Sequence, residues 1–183
     1  MDSNSTATSI VLAASAFAAH KHRDQRRKGA EASPYINHPI AVANVLANEA
    51  QITDPVTLAA ALLHDTIEDT DTTAEEIEAE FGREIAAIVA EVTDDKSLSK
   101  EDRKRLQIEH AQALSEKAKW VKLADKICNL RDMSRSPPIG WSRERRAEYF
   151  TWARQVVEPM RGISPKLERL FDDAFARGTD GSG

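Results

Sequence analysis

Cysteine occurs once in the chain, at Cys128, which excludes a disulfide framework and makes a reducing compartment, the cytoplasm, the expected location. Glycine is scarce, with seven residues in 183, and aromatics make up only 5%, so strands are the weaker reading throughout. No apolar run is long enough to cross a bilayer: Ile10 to Ala19 is broken by Ser15 and falls well short of the roughly 20 residues a spanning helix needs. The preceding MDSNSTAT has an Asp and no Lys or Arg, so the stretch reads as a capped first helix and not as a signal peptide. Positive charge is not in excess either. Lys and Arg number 25 against 30 Asp and Glu, a formal net charge of −5 that argues against a nucleic-acid coat or a polybasic membrane binder. Any anionic ligand therefore needs local cations or a metal. No CxxC or HExxH zinc motif and no internal repeat is present.

What the chain does contain is helix. With 41% apolar and 30% charged residues it is globular, and alanine-, leucine- and glutamate-rich windows alternate with short Pro, Asp, Ser or Thr punctuation. The fold class is all-α, a bundle of about eight to ten helices. Helices are expected at Thr8 to Arg26, Pro39 to Ala50, from Asp54 and Pro55 through the segment AAALLHDTIEDT, from Thr72 or Thr73 to Phe81, and over Arg83 to Val92. A charged helix capped by Ser99 runs to Leu114, an apolar one from Ala118 to Met133, and two more follow, Ser142 to Met160 and onward from Pro165. The tail from Gly178 is expected to be disordered.

The chemistry lies in Ala59 to Thr70. On a continuous helix, Leu63 and Ile67 fall on one face while His64, Asp65 and Glu68 share an adjacent arc, with Asp69 just beyond. Four ionisable groups in six positions repel one another unless they are solvated or neutralised by a cation. By itself such a cluster is more often a solvated face or the cap of the next segment. Two further ligand candidates are His38 in PYINHP and Asp125, the only acid in the apolar and basic run Trp120 to Leu130, where Lys122 and Lys126 offer an ordinary salt bridge instead. His20 and His22, in HKHRDQRRK, are expected to be exposed, and His110 lies in a charged helix. Two histidines and two aspartates, with waters completing the shell, suit an octahedral ion such as manganese better than structural zinc. Trp120, Trp141 and Trp152 read as core, and Cys128 as a small buried hydrophobe.

His38, the His64-Asp65 pair and Asp125 resemble the H...HD...D pattern of the HD-domain metal-dependent phosphohydrolases. The blocks RRK...PYINHPIAVA, ALLHDTIEDT, FG...IVAEVTDDK and VKLADKICNLRDM are similar, in the same order, to the hydrolase domain of RelA/SpoT proteins. They are closest to its stand-alone form, the small alarmone hydrolases that include the metazoan SpoT homolog, over about Ala14 to Phe150.

The resemblance implies a single HD domain over residues 1–177 that hydrolyses the 3′ pyrophosphate of guanosine 3′,5′-bis(diphosphate) (ppGpp) or of its pentaphosphate relative (pppGpp), giving GDP or GTP and pyrophosphate. It implies one Mn2+ held by His38, His64, Asp65 and Asp125, with Glu68 and Asp69 positioning and deprotonating water. It assigns Arg27 and Lys28 to nucleotide contacts, although the solvated, negative end of a helix also favours such cations. Asn129 shares the helical face of Asp125 and is a candidate for the nucleoside, Tyr35 for the ribose, and Lys100 and Arg145, with Lys96, for the 5′ diphosphate. The chain departs from the RKSGEPY-like link of many relatives, reading RRKGAEASPY, and has Leu-Arg-Asp after Asn129 where long RelA/SpoT proteins often have Met-Arg-Thr. A length filled by hydrolase blocks leads to the expectation of an enzyme that only degrades the alarmone. The alternatives are an HD phosphohydrolase acting on another nucleotide, such as NADPH or a nucleoside monophosphate, and a catalytically silent sensor. The expected partner is a small-molecule nucleotide, with no nucleic acid and no membrane; oligomeric state is left open.

Overall fold

A computed structural model describes residues 3–180, with side chains from Thr6 to Thr179. It contains ten α-helical segments and, among the described residues, no strand beyond two isolated bridges. In chain order they are α1 (Ser3–Lys21), α2 (Asn37–Asn44), α3 (Pro55–Leu63), α4 (Thr66–Asp69), α5 (Ala74–Phe81), α6 (Arg83–Val92), α7 (Lys100–His110), α8 (Glu116–Arg135), α9 (Arg143–Val157) and α10 (Pro165–Asp180). A π-helical turn, Val45–Glu49, extends α2, and 3₁₀ turns extend α7 and α9. No helix among the described residues is long and apolar enough to cross a membrane.

The helix starts follow capping chemistry. Asp54, Thr73, Ser99, Ser115 and Ser142 each accept a hydrogen bond from a backbone N–H in the first turn of the helix they precede, which satisfies one of the donors left open there. Asp54 also pairs with Lys117 at 3.0 Å and so ties the start of α3 to α8. The central element is α8, whose Val121, Leu123, Ala124, Ile127 and Leu130 are fully buried; it packs against α2, α3, α6, α9 and α10. Leu63 of α3 and Ile85 of α6 fill the same core, while α7 buries no residue completely and rides on the surface. Cys128 is buried, and burial pushes its thiol up to about 12.

Four expectations change, the first being that α1 ends at Lys21 and does not run on to Arg26. The helix from Pro55 does not continue through Thr70: it ends at Leu63, and the chain restarts at Thr66. Side chains take the carbonyls that the next turn would use, His64 Nδ1 donating to Ala61 O at 2.8 Å and Thr66 Oγ1 to Leu63 O at 2.7 Å. His22, expected to be exposed, is 1% exposed with its ring against Tyr35. The tail expectation also shifts, because Gly178 to Asp180 continue α10; residues 181–183 lie outside the described region.

Gly178 reaches the core because it has no side chain. A Cβ there would sit 2.0 Å from the ring of Phe150, which is 4% exposed and packs edge-on against Phe175. Gly178→Ala is therefore expected to lower the melting temperature, with a cost of roughly 1–3 kcal/mol from overpacking. A frayed tail gives the opposite sign, since alanine is the better helix former by about 1 kcal/mol; a raised melting temperature would refute the packing.

Candidate metal centre and its adjoining cavity

Three parts of the fold bring the ligand-type residues together: His38 from α2, His64 and Asp65 from the break between α3 and α4, and Asp125 from α8. On an unbroken helix neighbouring side chains diverge by about 100°. The break puts Asp65 at φ −98° and ψ −4°, and its Oδ2 comes within 3.2 Å of His64 Nε2 and 3.8 Å of His38 Nε2. From the other side, Asp125 Oδ1 lies 3.1 Å from His38 Nε2 and 3.8 Å from His64 Nε2. Two nitrogens and two oxygens thus alternate around one small space.

The surrounding contacts define which atoms face that space. Because His64 Nδ1 donates to the Ala61 carbonyl, its Nε2 is left as the inward atom, buried and with no hydrogen-bond partner. Asp125 Oδ2 is held by Lys126 Nζ at 3.1 Å, while Asn129 Nδ2 donates to Oδ1 at 2.6 Å. Lys126 is itself boxed in, its ammonium 4.6 Å from the centre of the Trp152 ring. Lys122, by contrast, donates to Val92 O at 2.9 Å and is no partner of Asp125.

The electrostatics ask for a cation. Burial opposes charge on His64, but Asp65 and Asp125 outweigh it and raise the imidazole to about 10. Burial likewise works to raise both carboxyls, yet His64 and His38 beside Asp65, and Lys126 and the two histidines beside Asp125, hold both below the usual carboxylate range. The cluster is built to keep its acids ionised around a positive charge, carried by a proton on the inward Nε2 of His64 or by a cation that takes the proton's place there. His38, His64 and Asp65 form a possible divalent-metal site, with ligand atoms all within 4.8 Å of one another.

Glu68 and Asp69 flank the cluster and are held differently. Glu68 Oε2 accepts from the Asp94 N–H at 3.3 Å, and burial, then the Asp94 and Asp65 carboxylates, raise its pKa. Asp69 pairs with Lys96, whose side chain is half exposed. The Tyr35 hydroxyl lies 2.7 Å from Asp65 Oδ2 and 3.1 Å from Asp69 Oδ2. Tyr35 therefore orients carboxylates, a role the sequence reading, which offered ribose packing, did not contain.

A cavity of about 160 Å³ at the cluster adjoins a larger one of about 660 Å³, and Arg27, Tyr35, Asp69 and Asn129 line both. The longer RRKGAEASPY link folds into a tight loop closed by Arg27 N to Ser33 O at 2.9 Å, which sets Arg27 and Lys28 on the wall of the larger cavity. Gly29 lets this loop lie on the end of α8, since a Cβ there would meet the Ser136 carbonyl at 2.7 Å. Arg27 is not a loose terminus: its Nη2 donates to Asp132 Oδ2 at 2.7 Å and Asn129 Oδ1 at 3.1 Å. Trp141, expected in the core, lines the larger cavity with Tyr149. Lys100 and Arg145 sit over the Trp141 ring, at 5.9 and 4.2 Å from its centre, and are not themselves in the cavity wall. Asp94, Lys126 and Asp132 were missed as site residues. Asp132 was findable, being seven positions after Asp125 on the same helical face.

A divalent ion is expected to stabilise the protein on binding, by about 2.7 kcal/mol at a free concentration one hundred times its Kd. Thermal melts with manganese and with chelator measure this. Asp65→Asn and His64→Ala should abolish the difference, and a chelator-insensitive melting temperature in the native chain would rule the site out.

Residues 14–151 match the HD domain family. The guanosine-3′,5′-bis(diphosphate) 3′-pyrophosphohydrolase MESH1 of Xenopus tropicalis is 56% identical over 171 residues, 93% of this chain and 96% of that protein. The MESH1 of Homo sapiens is 57% identical over 165 residues, 90% of this chain and 92% of that protein. A solved structure of a metazoan ortholog of SpoT, described as hydrolysing ppGpp and acting in starvation responses, superposes with a TM-score of 0.89 at 50% identity, covering 92% of this chain and 94% of that one. The chain is thus a hydrolase of the HD-domain family, and belongs within it to the group of the MESH1 proteins.

Proposed function

We propose that this chain is a manganese-dependent hydrolase of ppGpp and pppGpp, removing the 3′ pyrophosphate to give GDP or GTP. The observation that carries the reading is the buried His38, His64, Asp65 and Asp125 cluster opening into a cavity walled by Arg27 and Lys28, in a chain more than half identical to proteins named for that activity. In this reading those four residues hold one Mn2+. The ion supplies Lewis acidity to the phosphoryl oxygens and makes water a stronger acid.

The residues of the chain then divide the work. Glu68, with Oε2 fixed by the Asp94 N–H, keeps Oε1 to accept the proton of the attacking water, and its raised pKa makes it a stronger base than an ordinary glutamate. Water adds to the phosphorus next to the ribose, the bond from that phosphorus to O3′ breaks, and O3′ takes up a proton as pyrophosphate departs. Asp69, set by Tyr35 and Lys96, orients the water. Asn129 is close enough to Asp125 to meet the nucleoside beside the reacting phosphate, and Lys28, exposed on the cavity wall, supplies charge for phosphate. Lys100 and Arg145 reach the cavity only through Trp141, so they act on a diphosphate that projects past that ring. The single-domain organisation and a cytoplasmic role in degrading a starvation alarmone belong to the same reading.

Release of pyrophosphate from ppGpp, measured with manganese and after chelation, tests the proposal, with NADPH and GMP as comparators. Turnover of ppGpp is expected to be fastest and to vanish without metal; faster turnover of either comparator overturns the substrate assignment. In a separate experiment, Glu68→Gln should retain the manganese-induced rise in melting temperature while kcat falls by roughly a hundredfold or more. An unimpaired Glu68→Gln variant removes that carboxylate from the reaction.

A further inference from the structure

Glu68 takes its one fixing hydrogen bond from a part of the chain that has no regular structure. Its Oε2 accepts from the backbone N–H of Asp94 at 3.3 Å. Asp94 lies between α6 and α7, outside both helices, so no backbone ladder sets the direction of that N–H. The Asp94 carboxylate also works against the ionised form of Glu68, so Asp94 has to be kept in one place for its N–H to help more than its charge opposes.

Gln107 does this. Its Nε2 donates to Asp94 Oδ2 at 2.5 Å, across 13 positions of chain. Gln107 belongs to α7, the helix that rides on the surface, yet it reaches inward far enough to line the smaller cavity with Glu68 and Asp94. One turn earlier, Lys104 O accepts from Trp152 Nε1 at 3.0 Å, which anchors α7 to α9 and gives Gln107 a fixed base. The other end of the amide shows what the contact is for. Gln107 Oε1 is buried and has no hydrogen-bond partner among the described residues. Turning the amide over would set that oxygen against the Asp94 carboxylate. A side chain selected for packing would not leave an acceptor dry, since an apolar group of the same length fills the space without that penalty.

We infer that Gln107 is a positioning residue for the hydrolysis, locking Asp94 so that its N–H holds one oxygen of Glu68 and leaves the other for the attacking water. Gln107 acts on the base through two hydrogen bonds in series. The inference rests on the reading of Glu68 as the general base and deepens it by naming what keeps that base aimed.

Steady-state kinetics on ppGpp with manganese, together with thermal melts, of Gln107→Met, Glu68→Gln and the double variant test it. Gln107→Met, similar in length and without the donor, is expected to lower kcat by roughly ten- to a hundredfold, the scale of a misplaced catalytic group, with KM within about twofold of the native value. Its melting temperature should not fall, and the manganese-induced rise should be kept. In the Glu68→Gln chain, adding Gln107→Met should cost less than about twofold more, because the group it aims is already gone. Should Gln107→Met not fold, Gln107→Glu, the same in shape but with no N–H to give, carries the same comparison. An unchanged kcat, a lower melting temperature with kcat retained, or equal losses of kcat with and without Glu68 overturns the inference, the last two being the marks of a packing residue. An unimpaired Glu68→Gln, or a native chain inert toward ppGpp, overturns the reading and the inference together, whereas an impaired Glu68→Gln beside a fully active Gln107→Met removes Gln107 alone.

Discussion

The site depends on one electrostatic problem: two carboxylates, Asp65 and Asp125, are kept ionised at a place where water is largely excluded. A buried carboxylate without a partner would be neutralised or would destabilise the fold. Each surrounding element answers that problem from a different direction. α2 contributes His38, the α3–α4 break contributes His64, and α8 folds Lys126 back onto Asp125 against Trp152. The packing of α8 against α2 and α3 is the frame that closes these partners around the two acids.

The same frame explains why the two cavities meet. Arg27 is drawn toward α8 by Asp132 and Asn129, and Tyr35 is drawn toward the acids by its hydroxyl, so the segment between α1 and α2 is stretched between both sites. Gln25 adds a third tether, its Nε2 donating to Asp69 O at 2.5 Å while its Oε1 meets His22 Nδ1 at 2.7 Å. This segment, which has no regular secondary structure, is positioned by side chains that also line the cavities.

Much of this was legible in the residues. Capping signals at Asp54, at Thr72 or Thr73, at Ser99 and at Ser142 place four helix starts, because a short polar side chain at that position has one dominant use; the structure selects Thr73 of the threonine pair. The four cluster residues stand out because acids and histidines are rare in apolar windows. The break at His64 was not legible: it arises from side chains competing for the carbonyls of Ala61 and Leu63, and periodicity carries no trace of such competition. His22 was misjudged because the charges around it suggested solvent, whereas tertiary contact with Tyr35 decides its burial. The engagement of Lys96 by Asp69 and of Arg27 by Asp132 are pairings across 27 and 105 positions, beyond the reach of local pattern. Gly178 misled for a related reason, since a glycine-rich ending looks like a tail until a ring is found lying over it.

Cys128 carries a practical consequence. Its thiol lies inside α8, shut off from solvent and held protonated by burial, so at neutral pH it offers almost no thiolate to an alkylating reagent. Any cysteine introduced on the surface would be the one reactive thiol among the described residues. The native chain is therefore ready for site-directed labelling, for example across the two cavities, without first removing a residue from its core.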